Sequence, residues 1–376
     1  MKKRVVVGLS GGVDSSVAAA ILLEQGYEVI GLFMRNWDST TNNDVLGNPG
    51  LEDEICAQEV DFQDAEKVAK KLNIPIHRVD FITEYWDNVF TYFLDEYKKG
   101  RTPNPDILCN KYIKFDAFVE HAKQFDADYI AMGHYARVVH GEQTFMLRGI
   151  DDNKDQTYFL SQLTEKQLEH TLFPVGDLTK REVRAIAHKY DLSTKDKKDS
   201  TGICFIGERN FEKFLSNYLP SIPGNMVNEA NEVIGEHNGL MYYTIGQRKG
   251  LGIGGSNTHG NRPWFVIGKD LNKNELIVGQ DFHHPTLYSD SCLVDDVNLI
   301  NIGHFDGSIE CTAKFRYRQE DNDVTIAYIG DELLVTFKED IRAVTPGQAA
   351  VFYQGEVCLG GGFIKEVYKN NEKRKY

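Results

Sequence analysis

Two hydrophobic periodicities divide this chain. Up to about His134, RVVVGL (4–9) reads as a buried strand, and YEVIGLFM (27–34), IPIHRVDF (74–81) and DYIAMGH (128–134) read as further strands. Between them, about Val13 to Gln25, 54–72, 84–98 and 109–124 carry apolar residues every three or four positions, which predicts helices. Strands alternating with helix-length crossovers specify a parallel, doubly wound α/β sheet, whose ligands sit at the carboxyl ends of the strands. The loops beginning at Ser10, Asn36 and Gly133 are therefore expected to share one rim. Residues 164–190 stay helical in spacing, with a Thr N-cap and a basic end in TKREVRAIAHKY.

After about residue 220 the texture changes to Gly-rich turns and short alternating runs such as WFVIGKD, NELIVGQ and TIAYIGDELLVTF. That is an all-β signature, read as a small central domain followed by a β-barrel. The expected units are a catalytic domain at 1–205, a central domain at 206–282, a barrel at 283–368 and a basic tail at 369–376. Residues 38–53 and 249–262 read as mobile loops, and the tail beyond Val367 as disordered.

Composition changes this picture little. The chain has 376 residues, 41% hydrophobic and 26% charged, the profile of a globular protein. No apolar run approaches the roughly 20 residues that span a bilayer. The basic start MKKR precedes too short an apolar run for a signal peptide, so a cytoplasmic protein with no membrane partner is expected. The net charge of −14 argues against a nucleic-acid partner only until its distribution is considered. Residues 38–66 hold nine carboxylates and no Lys or Arg, whereas 98–114 has five basic residues and one acid. Basic patches of this kind suit RNA and solvated surface equally.

Candidate chemistry begins at SGGVDSS (10–16). Gly11 and Gly12 allow a tight turn that brings backbone N–H groups close to an anion, and the following helix directs its positive end at the same place. Ser10, Ser15 and Ser16 add hydroxyls. Asp14 would repel a polyphosphate unless a cation lies between them, which points to Mg2+. Of the six cysteines none forms a C-x-x-C pair, so a zinc site is not expected. Cys109, in TPNPDILCNKYIKF, lies near a predicted helix start among Lys98, Lys99, Arg101, Lys111 and Lys114, and is expected to ionise readily. Cys204 follows a Ser-Thr-Gly turn in KKDSTGICFIG. Each alone suits a buried apolar role as well as a reactive one. Cys56, Cys292, Cys311 and Cys358 read as structural.

The loop resembles the SGGxDS signature of the ATP-pyrophosphatase superfamily, whose members adenylate an oxygen and release pyrophosphate. Together with TPNPDILCN, GHYAR (133–137), DNKDQTYFL (152–160), KKDSTGICFIG (197–207), YTIGQRKGLGIGG (243–255), FRYR (315–318) and AVTPGQAAVFYQGEVCLGGG (343–362), it makes nearly the whole chain similar to the tRNA-specific 2-thiouridylase family. That resemblance implies ATP and Mg2+ as cofactors, tRNA with a wobble uridine as substrate, and a persulfide donor such as a cysteine desulfurase or sulfur-relay protein as partner. It implies that Gly8, Leu9, Ser10, Gly11, Gly12, Val13, Asp14, Ser15, Met34 and Gly133 hold ATP. Asn104, Pro105 and Asp106 would meet the target base, with Asp106 as general base. Cys109 matches the family's nucleophile and Cys204 its persulfide carrier. His134, Lys154, Asp155, Gln156, Arg316, Tyr317 and Gln348 match its tRNA contacts.

Overall fold

The computed structural model describes residues 2–50, 56–199, 202, 204, 206, 207, 209–253 and 262–375. Residues 51–55, the end of the predicted mobile loop and the start of the predicted second helix, lie outside them, as do residues 254–261 of the second predicted loop.

The N-terminal unit is built on β1 (Arg4–Gly8), β2 (Glu28–Arg35), β3 (Ile76–Asp80) and β4 (Tyr129–Ala131), with α1 (Val13–Glu24) and α2 (Ala57–Leu72) in the first two crossovers. Next come a hairpin, β5 (Ala136–Val139) and β6 (Phe145–Arg148), and the two-residue β7 (Thr171–Leu172). The sheet order is β3-β2-β1-β4-β7, parallel throughout. Val5, Val6 and Val7 are wholly buried because β1 is central and covered on both faces. Val5 and Val7 pack with Val17 of α1, Val68 of α2 and Val183, while Val6 faces Phe90, Phe93, Ile113 and Phe118. Each such valine contributes roughly 1.5–3 kcal/mol, which makes the apolar run itself the reason β1 sits in the middle.

Three expectations need correction. The stretch 164–190 is not all helix: Glu165–Leu168 and Lys180–Lys189 flank β7, which is too short for any periodicity to show. Residues 38–50 are not a free loop. Asn210 N donates to Gly47 O, Tyr218 Oη to Asn42 O, and buried Asp44 accepts from Trp37 Nε1 at 3.0 Å and from Arg209 Nη2 at 2.8 Å. The tail is paired as well: Glu372–Lys373 folds back on the strand Val357–Lys369 through Asn370 and Asn371, both at positive φ.

The central unit is a four-stranded sheet, Trp264–Asp270, Glu275–Gln280, Gly224–Val227 and Val233–His237 in spatial order. Beyond it, six strands between Tyr288 and Lys369 close into a barrel, because Tyr288–Leu299 pairs with both Glu332–Arg342 and Val357–Lys369. The barrel sheet does not end there. Val357 and Cys358 pair with Leu147 and Met146 of β6, so the N-terminal hairpin extends it. Among the described residues no helix is long and apolar enough to cross a membrane.

Both β units grip the segment that precedes TPNPDILC. Lys269 Nζ of the central sheet donates to Gly100 O at 2.7 Å, and Gln348 Nε2 of the barrel donates to Thr102 O at 2.7 Å. Lys269 is only 5% exposed, and burial pulls its ammonium from the ordinary 10.5 down to about 7. Between those two values the unfolded chain binds more protons than the native one, so Lys269 makes stability rise with pH by up to about 1.4 kcal/mol per unit. We expect Lys269→Met to flatten that rise in denaturant unfolding between pH 7 and 9.5; equal slopes in the two proteins would contradict the burial argument.

Candidate active site

The loop after β1 turns at Gly11, whose φ is +73° and where a Cβ would lie 2.1 Å from Asp61 O. Gly12 then caps α1 without any side-chain hydrogen bond to the first turn. The serines brace the loop from within: Ser15 Oγ accepts from Ser10 N at 3.1 Å, and Ser16 Oγ donates to Gly12 O at 2.7 Å. Gly133, just past β4, completes the rim, since a Cβ there would come within 2.7 Å of Ser15 N. Met34 packs beneath Gly8, beside Met132. The first turn of α1, which no side chain caps and against which Gly133 packs, is the kind of helix start at which anions bind.

The cations at this loop are lysines that spacing alone did not reveal. Lys180 Nζ bonds both Asp14 oxygens, at 2.7 and 2.9 Å, and Tyr135 Oη donates to Asp14 Oδ1 at 2.8 Å. Lys197 Nζ reaches Gly11 O at 3.0 Å and ties it to Asp61 and Asp64. One signal was present. A lysine in the first turn of a helix, as Lys180 is, opposes the helix dipole and needs another partner. Asp14 is thus already matched by a cation, and among the described residues no group of three His, Cys, Asp or Glu side chains is arranged to hold a metal.

The second half of the site joins Cys109 and Cys204, 95 residues apart in sequence, with their sulfurs 3.6 Å apart. Asn104 caps the short helix Pro105–Leu108 by accepting from Asp106 N, and a nine-residue π-helix, Cys109–Ala117, continues it. The Cys204 backbone is held at both ends: its N–H donates to Asp106 Oδ1 at 3.0 Å, and its carbonyl accepts from Tyr85 Oη at 2.9 Å. Upstream of it, Asp199 is gripped by Lys154, Lys180 and Arg184 at 2.7 to 2.9 Å. Burial opposes its charge, yet Lys154 and Lys180 hold its carboxyl down at about 2. Downstream, Arg209 is fixed on Asp44.

The ionisation expected of Cys109 is reversed. Burial raises its thiol well above the usual range, and the hydrogen bond it gives to Cys204 adds to that. Cys204 is the acidic partner, lowered by the hydrogen bond from Cys109 and by the charge of Lys114. The reason is geometric. Cys109 lies inside a continuous helix, and Lys98, Lys99, Arg101 and Lys111 turn to Asp95, Glu96, Glu96 and Gln162. Burial also raises the Asp106 carboxyl, against the Cys204 N–H and Lys114, which suits a group that takes and returns a proton.

The residues matched to tRNA contacts are dispersed. His134 is buried against Phe115 and Phe173, with Nε2 3.4 Å from Lys114 Nζ, and burial together with Lys114 keeps it neutral. Asp155 is buried and accepts from Gly149 N and Thr157 N, Gln156 Oε1 accepts from Tyr135 N, and Lys154 is on Asp199. Arg316 Nη2 donates to Ile245 O, Ala343 O and Thr345 Oγ1, joining the central unit to the barrel. Tyr317 packs at a tilt, its ring 4.4 Å from Phe159 and 6.2 Å from Tyr158.

A parallel α/β sheet with a glycine-serine loop after β1 is a nucleotide-binding fold, and this chain combines it with two thiols in contact. The family descriptions that match are the tRNA methyl transferase HUP domain over residues 3–208, the tRNA methyl transferase PRC-barrel domain over 212–280, and the aminomethyltransferase beta-barrel domain over 289–364. Among curated relatives, the tRNA-specific 2-thiouridylase MnmA of Acholeplasma laidlawii is 60% identical over 100% of both chains. Those of Listeria monocytogenes and Bacillus pumilus are 58% and 57% identical, over 99% of this chain and 97% and 98% of theirs. The chain belongs to the tRNA-specific 2-thiouridylase family.

Because Gly133 lies against backbone, no side chain can move aside for it. We expect Gly133→Ala to displace the Asp14–Ser15 turn, costing about 1–3 kcal/mol of stability and weakening ATP binding at least about tenfold. Calorimetric titration with ATP beside a thermal melt checks this, and wild-type affinity would show that the rim does not form the nucleotide site.

Proposed function

We propose that this chain performs ATP-dependent 2-thiolation of the wobble uridine of tRNA. The observation that carries the reading is the 3.6 Å approach of Cys109 and Cys204 beside a pyrophosphatase-type loop. The methyl transfer named in two of the family descriptions has no need of paired thiols.

ATP would lie with its phosphates at Gly8–Ser15 and its adenosine near Met34 and Gly133. Mg2+ accompanying it would share Asp14 with Lys180, which already supplies the cation that this carboxylate needs. A uridine splayed from the anticodon loop would enter past Asn104, Pro105 and Asp106. Adenylation of its 2-oxygen expels pyrophosphate and turns a poor leaving group into AMP. The terminal sulfur of a Cys204 persulfide then attacks C2, and AMP departs. Cys109 attacks the inner sulfur of Cys204: the S–S bond breaks, its electron pair stays on the sulfur bound to C2, and 2-thiouridine is released. The Cys109–Cys204 disulfide left behind requires a dithiol reductant. Asp106, with its raised carboxyl, takes the proton of the Cys109 thiol. Sulfur enters from an external persulfide donor of the desulfurase or relay type. Of the residues matched to tRNA contacts, Lys154, His134 and Tyr317 would act on the catalytic side, while Asp155, Gln156, Arg316 and Gln348 would act by holding the surface in place.

The test is pyrophosphate release from ATP with and without unmodified tRNA, in the presence of a persulfide-loaded desulfurase, with nucleosides read by mass spectrometry. Release that depends on tRNA, with a 2-thiouridine peak lost in Cys109→Ser and Cys204→Ser, is expected. Release without tRNA and no thiolated base would leave an adenylating enzyme of another substrate, such as an amide-forming synthetase. No ATP consumption at all would leave an RNA-binding protein.

A further inference from the structure

Lys114 stands five residues after Cys109. On an α-helix that spacing would put the two side chains about 140° apart. Here Phe118 N bonds Ile113 O, and the five-residue closure of the π-helix Cys109–Ala117 brings positions five apart toward one face. Lys114 accordingly shares the side of the helix that carries Cys109, whose sulfur is 3.6 Å from that of Cys204, and its Nζ lies 3.4 Å from His134 Nε2, so its positive charge favours the Cys204 thiolate. A second π-helical turn, Trp86–Phe90, packs on the first and follows Tyr85, whose hydroxyl holds the Cys204 carbonyl. The groups around Cys204 are thus Cys109 and Lys114 from one π-helix, Asp106 from the helix before it, Tyr85 from the turn Ile82–Tyr85 that leads into the other, and His134 behind Lys114.

We propose that Lys114 is a catalytic residue of this site: its ammonium is the counter-charge of the Cys204 sulfur, aimed there by the π-helix and by a neutral His134 that accepts from it. This rests on Cys204 being the sulfur-bearing nucleophile and says what makes it one. A thiolate or persulfide anion in this enclosed place needs a cation at contact distance, and the other basic residues around Cys109 are engaged elsewhere. His134 serves because Nε2 must lie unprotonated toward Lys114. Its Nδ1 then carries the hydrogen, and Nδ1 is buried without a partner. The Cys204 proton leaves to solvent when the anion forms.

The experiment is alkylation of Cys204 by iodoacetamide as a function of pH, read by peptide mass spectrometry on the full chain without ATP or tRNA. In the wild type we expect a midpoint below that of an ordinary thiol. Lys114→Met should raise the midpoint by about one unit or more and slow the reaction at pH 7 roughly tenfold. Lys114→Gln, closer in polarity should the first variant not fold, should do the same. Lys111→Met, which removes a nearby charge bonded to Gln162, should leave the midpoint in place. The proposal is overturned by an ordinary or higher wild-type midpoint, by no shift in the Lys114 variants, or by an equal shift in Lys111→Met. Since neither ATP nor RNA is present, loss of thiolation for another reason leaves this result unaffected.

Discussion

Everything at this site depends on holding one irregular segment, the one that carries Cys204, against a thiol buried in the core. The chain meets that constraint with polar contacts, some buried and some partly exposed. Asp106 and Tyr85 fix the backbone of Cys204 itself, the Asp199 cluster holds the approach, and the Arg209–Asp44 pair holds the exit. A buried ion pair adds little net stability over an apolar pair, but it defines where its members must be. Asp199 shares Lys180 with Asp14, so the loop after β1 and the approach to Cys204 are tied to one ammonium.

The two β units belong to the same argument. Lys269 from the central sheet and Gln348 from the barrel both fasten the backbone between Gly100 and Thr102, just before the helix that presents Asp106 and Cys109. Thr102 Oγ1 also meets Thr244 Oγ1 at 3.2 Å, and Thr102 N donates to Pro346 O. Arg316 then locks the central unit to the barrel, and β6 carries the barrel sheet into the N-terminal unit. The C-terminal half is therefore part of what keeps the helix that carries Asp106 and Cys109 in register.

What the sequence made legible follows from range. Strands β1 to β4, the glycine-serine turn and the barrel's alternating runs are local signals and form where their patterns placed them, β3 as a largely exposed edge strand. The helices of 82–98 and 105–122 were legible as helices but not as π-helices, because i→i+5 bonding leaves no periodicity in so short a stretch. β7, the tail hairpin and the hook of β6 onto Val357 are made by partners far away in sequence. The same holds for the chemistry. Family likeness singles out Cys109 and Cys204, but only the fold shows them in contact and assigns the lower thiol to Cys204. Lys98, Lys99 and Arg101 lie near Cys109 in sequence and are bound to Asp95 and Glu96 instead.

The acidity of the chain also changes meaning once its partners are known. The run 38–66, with nine carboxylates and no basic residue, reads as a repulsive surface when taken alone. In the fold, Asp38 is on Arg35, Asp44 on Arg209, Glu59 on Arg78, and Asp61 and Asp64 on Lys197. Two of those cations do further work: Lys197 also bonds the carbonyl of Gly11, and Arg209 ends the Cys204 segment. These acids are paired rather than free, the contacts to Arg209, Arg78 and Lys197 being 2.7 to 2.8 Å long. Three of these acids, Asp44, Asp61 and Asp64, hold the cations beside Gly11 and downstream of Cys204, so the net −14 does not describe the local charge at those places.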